Sequence, residues 1–198
     1  MLTRPATVRD VPAIAVLITQ FAQRGKMLFR SHAELYEALR DFVVAEYEGA
    51  IVGTAALEIV WADLAEVRSL AVDARHHGKG IGRALVNAVV EEARRLDIQR
   101  VFALTYEERF FTKLGFHVVD KSALPTKVWS VCIKCPKRDG CDEIAMVRTL
   151  FDRPALVENP ADALADLRYD VPTPLIQLGK PKVVTAHDVA TGRDFPQK

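Results

Sequence analysis

The stretch Glu66–Leu85, EVRSLAVDARHHGKGIGRAL, constrains the fold of this chain more tightly than any other. Val67 to Val72 is apolar enough for a buried strand, Asp73 to Lys79 is a polar turn, and a helix opens among Gly78, Gly80 and Gly82. Together they make an anion site. At a helix start several backbone N–H groups lack partners and the macrodipole is positive, so a phosphate placed there is held by both effects. Glycines remove the Cβ atoms that would keep a pyrophosphate at a distance, and Lys79 and Arg83 add positive charge on its flanks. The same pattern also serves as an ordinary strand-to-helix turn. Its spacing, G-x-G-x-G, is neither the G-x-G-x-x-G of dinucleotide-binding folds nor the G-x-x-x-x-G-K-[ST] of nucleotide hydrolases, which removes both classes.

With 198 residues, 49% of them hydrophobic, the chain can bury one real core and still carry an appendage. Its formal charge of +1, with acids and bases interspersed, offers no electrostatic footprint for nucleic acid or an anionic membrane. The start MLTRPATVRD has no apolar signal core, and no run approaches the ~18 apolar residues of a membrane span. The expectation is a cytoplasmic protein with neither nucleic acid nor membrane as partner.

Along the chain, Leu2 to Pro5 reads as a short strand, and Thr7 with Asp10 reads as a capping box. Val11, Ile14, Ala15, Ile18 and Phe21 then share one face of a helix that ends near Gly25. Ser31 with Glu34 opens a second helix, whose apolar face is Leu35, Ala38, Leu39 and Phe42. Between the helices, Lys26 and Arg30 stand among large apolar residues, either gripping an anionic substrate group or forming a solvated cation pair. Val43 to Tyr47 and Ile51 to Trp61 form a hairpin, and the central strand follows the turn Ala62-Asp63-Leu64. Behind the glycine turn, Ile81, Ala84, Leu85, Ala88, Val89 and Leu96 recur at helical spacing. Arg100 to Thr105 is a strand, Glu108 to Leu114 a short helix stopped by Gly115, Phe116 to Val119 a strand, and Glu143 to Arg148 the last strand of the body. Six of the ten prolines fall after residue 150. The chain divides on this reading into a body, 1–149, and an extension, 150–198, that packs on the body or on a second subunit.

The segment from His77 to Gly82, HGKGIG, resembles the acetyl-CoA pyrophosphate loop of the GNAT acyltransferase superfamily, Q/R-x-x-G-x-G/A, with His77 where the family has Gln or Arg. FFTKLGF, Phe110 to Phe116, resembles another usual segment of that superfamily, and the order of elements is similar. Within it the chain resembles the acetyltransferase domain of N-acetylglutamate synthases, in the short stand-alone bacterial form without an amino-acid-kinase domain. GKMLFRS, LYEALRDFVVAE, WADLAEVRSLAVD and RVFALTYEERFF carry that likeness.

The resemblance implies an α/β GNAT (acyl-CoA N-acyltransferase) fold, a mixed central sheet flanked by helices, with a Pro-rich extension. It implies acetyl transfer from acetyl-CoA to an amino acid, glutamate or a near relative such as glutamine, as the first step of arginine synthesis. Backbone groups of Leu70, Ala71 and Val72 would hold the pantetheine, and His77, Gly78, Lys79, Gly80, Ile81, Gly82 and Arg83 the pyrophosphate. Homodimers are common in the superfamily, which makes one the analogy here.

Attack of an α-amine on a thioester needs a neutral amine, a polarised carbonyl and a stabilised leaving thiolate. Glu66, at the mouth of the central strand, is the candidate base, against a plain strand-end carboxylate. The tyrosine by which the family protonates the thiolate is Phe111 here. Either Tyr106 or water takes that part. A dicarboxylate acceptor asks for at least two cations, and Lys26, Arg30 and Arg68 are candidates, with Ser69 beside them. Arg68 follows Glu66 at the two-residue repeat of a strand and so shares its face. Larger synthases hold substrate with an arginine and a serine after the LT dipeptide; LTYEER departs from that, which widens the choice of acceptor.

Cys132, Cys135 and Cys141 lie in CIKCPKRDGC, whose C-x2-C start suits zinc but supplies only three thiols. Three reduced, packed thiols are the alternative. Two other functions stay open at this stage: acetylation of another small amine or a protein amino terminus, and a non-catalytic acyl-CoA sensor or metal-dependent interaction module.

Overall fold

A capped entry ties the first strand to the first helix. In the computed structural model, which describes residues 1–124 and 140–152, β1 (Leu2–Pro5) runs through a short 3-10 turn into α1 (Val11–Ala22). Thr7 and Asp10 close the expected capping box. Asp10 also accepts hydrogen bonds from both terminal nitrogens of Arg4, at 2.7 and 3.0 Å, and Arg4 reaches Glu46 of the neighbouring strand. The Arg4 guanidinium and the Thr7 donors hold the Asp10 carboxyl down at about 2. All described residues belong to the first of the two units into which the chain divides, Met1–Glu158.

The described strands form one seven-stranded sheet in the order β1-β2-β3-β4-β5-β7-β6. β2 (Phe42–Tyr47), β3 (Ala50–Trp61) and β4 (Leu64–Val72) make the expected antiparallel meander. β4 and β5 (Arg100–Thr105) are parallel, joined through α3 (Ile81–Arg95), the crossover that a parallel pair requires. Asp63, buried in the turn before β4, sets the start of that pair. It accepts a hydrogen bond from the Arg100 side chain at 2.5 Å, while its carbonyl accepts from the Arg100 amide at 2.9 Å. β7 (Ile144–Thr149) inserts between β5 and β6 (His117–Val118), antiparallel to both, a pairing that strand periodicity does not encode.

Each face of the sheet carries its own core. On one, Val11, Ile14 and Ile18 of α1 and Leu35 of α2 (His32–Glu37) pack on Phe42, Val44 and Ala56. On the other, α3 and Phe111 of α4 (Glu108–Thr112) cover Ala55, Leu57, Ala65, Val67 and Val101. Three expectations need correction. The second helix ends at Glu37, because Phe42, expected on its apolar face, pairs with Ala56 as the first residue of β2. The inner face of α3 includes Val86, Val90 and Ala93, whereas Leu96, beyond the helix end, is 47% exposed. The central strand begins at Leu64 and not at Val67, which moves Glu66 from the strand's mouth into its interior.

Gly53 of β3 lets α3 sit close to the sheet. A Cβ there would meet Leu85 at 3.0 Å, Ile81 at 3.1 Å and the carbonyl oxygen of Ala71 at 3.3 Å. Relief requires the Leu85 and Ile81 side chains of α3 to shift and the β4 backbone at Ala71 to give way by a few tenths of an ångström. Gly53→Ala is therefore expected to destabilise the fold by about 1–3 kcal/mol, measured as a lower midpoint in urea unfolding at unchanged slope.

Candidate active site

β4 and β5 pair only from Leu64↔Arg100 to Glu66↔Phe102, and then part. β4 continues to Val72 and β5 to Thr105, so beyond Glu66 their facing edges carry peptide groups with no strand partner on that side. Such edges present hydrogen-bonding groups to whatever enters between them. An extended molecule with amides of its own fits that opening. The β4 wall is the stretch that holds Leu70, Ala71 and Val72.

A bulge turns that wall. Ala56 pairs with Arg68 and Thr54 with Ala71, so the register slips by one around Ser69, whose φ is +53°. Before the slip, Ala65 and Val67 face the α3 core and Glu66 and Arg68 face the opposite side; after it, Leu70 and Val72 pack towards α3. Ser69 is thus a strained hinge at the lip of the wedge.

At the foot of the wedge, α3 starts on Gly80 with no side-chain cap, leaving its first-turn N–H groups to a ligand. Gly78 and Gly80 have φ of +76° and +79°, and a Cβ on either would meet nothing within 4 Å. The loop is open on the side where a phosphate would lie. Gly82 has a different task, since a Cβ there would press on the Phe110 ring at 3.3 Å. His77, though exposed, places Nε2 2.9 Å from the Val72 carbonyl oxygen and so secures the strand end. Lys79 places its Nζ 5.4 Å from the centre of the Tyr47 ring. These residues fit a pyrophosphate: amide donors, glycine clearance and flanking cations at one helix start.

Glu66 stands at the throat, the last paired residue before the strands separate. Burial, with the like charge of Glu143 adding and the Arg30 guanidinium opposing, pushes its carboxyl up to about 7. A carboxyl poised there can accept a proton at neutral pH and release it again, the property wanted in a general base. Arg68 shares the face of Glu66, as expected, but its ion pair is with Glu58 of β3. Arg30 lies over the Phe42 ring, 5.4 Å from its centre. Lys26 reaches across to the end of β5, 5.1 Å over the Tyr106 ring and 3.9 Å from Glu107. Tyr106 donates its hydroxyl to Asp142 at 3.0 Å. Arg30 and Arg68 thus lie near Glu66 on the face of the sheet away from α3, while Lys26 meets Tyr106 at the end of β5.

Three participants escape sequence reading. Glu58 sits directly opposite Glu66, yet counting back from the turn would place it opposite Val67, because the register slips between Ile59 and Trp61. Glu143 and Asp142 arrive through the insertion of β7, which no local pattern announces. Phe111, in place of the family's tyrosine, is buried in the core. Among the described residues no group of three or more His, Cys, Asp or Glu is arranged to hold a metal. Cys132 and Cys135 lie outside the described residues, as does the expected extension beyond residue 152, while Cys141 approaches Glu143 at 4.0 Å. No helix of the described residues is long and apolar enough to cross a membrane.

Diverging strands, an open glycine loop at a helix start and a buried carboxyl at the throat fit a group-transfer enzyme whose donor is an extended, phosphate-bearing molecule. The chain belongs to the acetyltransferase (GNAT) family, whose model matches residues 16–116. It is similar to an uncharacterized N-acetyltransferase of Chlorobaculum tepidum, 42% identical over 147 residues covering 74% of this chain and 95% of that one. An amino-acid acetyltransferase of Mycobacterium tuberculosis is 41% identical over 132 residues, 65% of this chain and 75% of the relative. A solved N-acetylglutamate synthase of Neisseria gonorrhoeae, complexed with coenzyme A and N-acetyl-glutamate, is similar in fold, with a TM-score of 0.69 and 30% identity. That match covers 76% of this chain but 35% of the synthase.

Proposed function

We propose that this protein transfers acetyl from acetyl-CoA to the α-amine of a small amino acid, glutamate or its near relative glutamine, in the cytoplasm and as the first step of arginine synthesis. The observation that carries the reading is Glu66, a carboxyl pushed up to about 7 at the throat of the wedge. Acetyl-CoA, lying along β4 with its pyrophosphate on the Gly78–Gly82 loop, would supply the thioester. Glu66 takes the proton of the acceptor's ammonium, directly or through one water, freeing the nitrogen for attack. The new C–N bond forms as the C–S bond breaks, and the nitrogen gives up its second proton to water, which leaves a neutral amide. The departing sulfur takes a proton from Tyr106 or from water, since Phe111 has none to give.

Arg30 and Lys26 face the mouth and suit the acceptor's carboxylates. Arg68 is already neutralised by Glu58, so fewer cations serve a second carboxylate than the sequence suggests. That favours testing glutamine beside glutamate. Thiol release from acetyl-CoA across the amino acids decides the matter. Turnover confined to glutamate, glutamine or both is the expected result. Tight CoA binding without turnover on any acceptor would sink the enzyme reading and leave an acyl-CoA sensor in its place.

A further inference from the structure

The open side of the glycine loop explains how it can receive a phosphate but not what holds it in shape while it waits. Among the described residues, a Cβ on Gly78 or Gly80 would meet nothing within 4 Å, and no side chain caps the start of α3. Support has to come from behind, and one side chain supplies it at two points. Tyr47, the last residue of β2, is half-buried and packs against the α3 core. His76, just before the glycines, lies 5.5 Å from the Tyr47 ring at an interplanar angle of 60°. Lys79, between Gly78 and Gly80, holds its Nζ 5.4 Å from the centre of the same ring. Asp73 and Val72 fix the loop's other end, through the Arg75 amide at 2.9 Å and the His77 ring at 2.9 Å.

The His76 contact is one of packing alone. Its Nδ1 is closed off from solvent and has no hydrogen-bond partner among the described residues. With the Tyr47 ring removed, the His76 ring has lost the surface it rests on and Lys79 the face it sits over.

We propose that Tyr47 is a positioning residue for the phosphate loop: its ring pins His76 and Lys79 from behind, so that the amides from Gly78 to Gly82 are already arranged for a pyrophosphate before it arrives. The proposal rests on the acetyl-CoA reading above, and adds to it a residue on a strand that never borders the wedge. An affinity that depends on a pre-arranged loop falls when the loop must be ordered at the moment of binding.

The test compares two donors, acetyl-CoA and S-acetyl-pantetheine, which lacks the pyrophosphate, on Tyr47→Leu and Tyr47→Phe. Leucine keeps an apolar side chain against the core but has no ring face. Tyr47→Leu is expected to raise KM for acetyl-CoA, and Kd for CoA by calorimetry, about five- to tenfold. At saturation kcat stays within about twofold, and kcat/KM for S-acetyl-pantetheine is unmoved, because that donor does not use the loop. Tyr47→Phe, which restores the ring, recovers the CoA affinity. In a double-mutant cycle, Lys79→Ala costs less CoA affinity in the Tyr47→Leu background than in the wild type. An equal fall with both donors would mean that Tyr47 matters only to the fold and would overturn the inference. So would unchanged CoA binding in Tyr47→Leu while Gly80→Val abolishes it. If Gly80→Val leaves CoA binding intact, the reading of the loop as a phosphate site fails first.

Discussion

Glu66→Gln is expected to lower kcat for acetyl transfer about 10²–10⁴-fold while leaving the Kd for CoA within about twofold of wild type, since the proposed CoA contacts lie on the loop and the strand backbone. The pH profile makes the assignment specific. In the wild type, kcat/KM falls about tenfold per unit below pH 7, where the Glu66 carboxyl takes up its proton. In Glu66→Gln the break near 7 disappears, and the residual rate keeps falling tenfold per unit below the pKa of the acceptor's own amine, about 8 or above. A profile that keeps its limb near 7 in Glu66→Gln would assign the proton to another group.

The same substitution should stabilise the fold. Burial raises this carboxyl from the 4.5 of an unstructured chain to about 7. Between those values the folded state keeps a proton that the unfolded state has released, so the favourable contribution is complete below 4.5 and is lost as the pH rises through 7. Glu66→Gln, which never ionises, should therefore melt higher than wild type at pH 8, by on the order of 1 kcal/mol or more. The gain should shrink towards pH 5. Activity lost with stability gained is the mark of a group strained for its chemistry rather than for the fold.

Gly80→Val should leave the chain folded and remove the donor site. At a φ of +79° a β-branched residue costs about 1–2 kcal/mol, and α3 begins at that residue. Relief by returning to negative φ would swing the amides of Ile81 and Gly82 away from the wedge. If the strained conformation is kept, the new side chain stands in the open space that a phosphate needs. Either way the Kd for CoA should rise about a hundredfold or more, the tenfold or so of the strain alone being multiplied by lost donors. Calorimetric titration with CoA measures this. S-acetyl-pantetheine should react with the variant nearly as well as with the wild type. Equal loss for both donors would place the damage in the wedge and not in the loop.

Elements with local causes were legible in the sequence. The capping boxes at Thr7 and Ser31, the hairpin at Glu48-Gly49, the apolar run of α3 and the glycine spacing before it depend on residues within a few positions of one another. From them follow a strand, a glycine turn and a helix start suited to an anion, with Glu66 on the same strand as the candidate base. Tertiary structure decided what depends on partners far along the chain. The insertion of β7 brings Glu143 towards Glu66 and Asp142 to Tyr106. Slips of register at Ser69 and before Trp61 choose which side chains share a face and give Arg68 to Glu58. The sequence alone named the candidate base and the candidate phosphate loop, because propensity and spacing act locally. Only the folded sheet made that base protonatable near neutrality and opened a wedge beside it, because desolvation and strand divergence arise between segments that meet only in three dimensions.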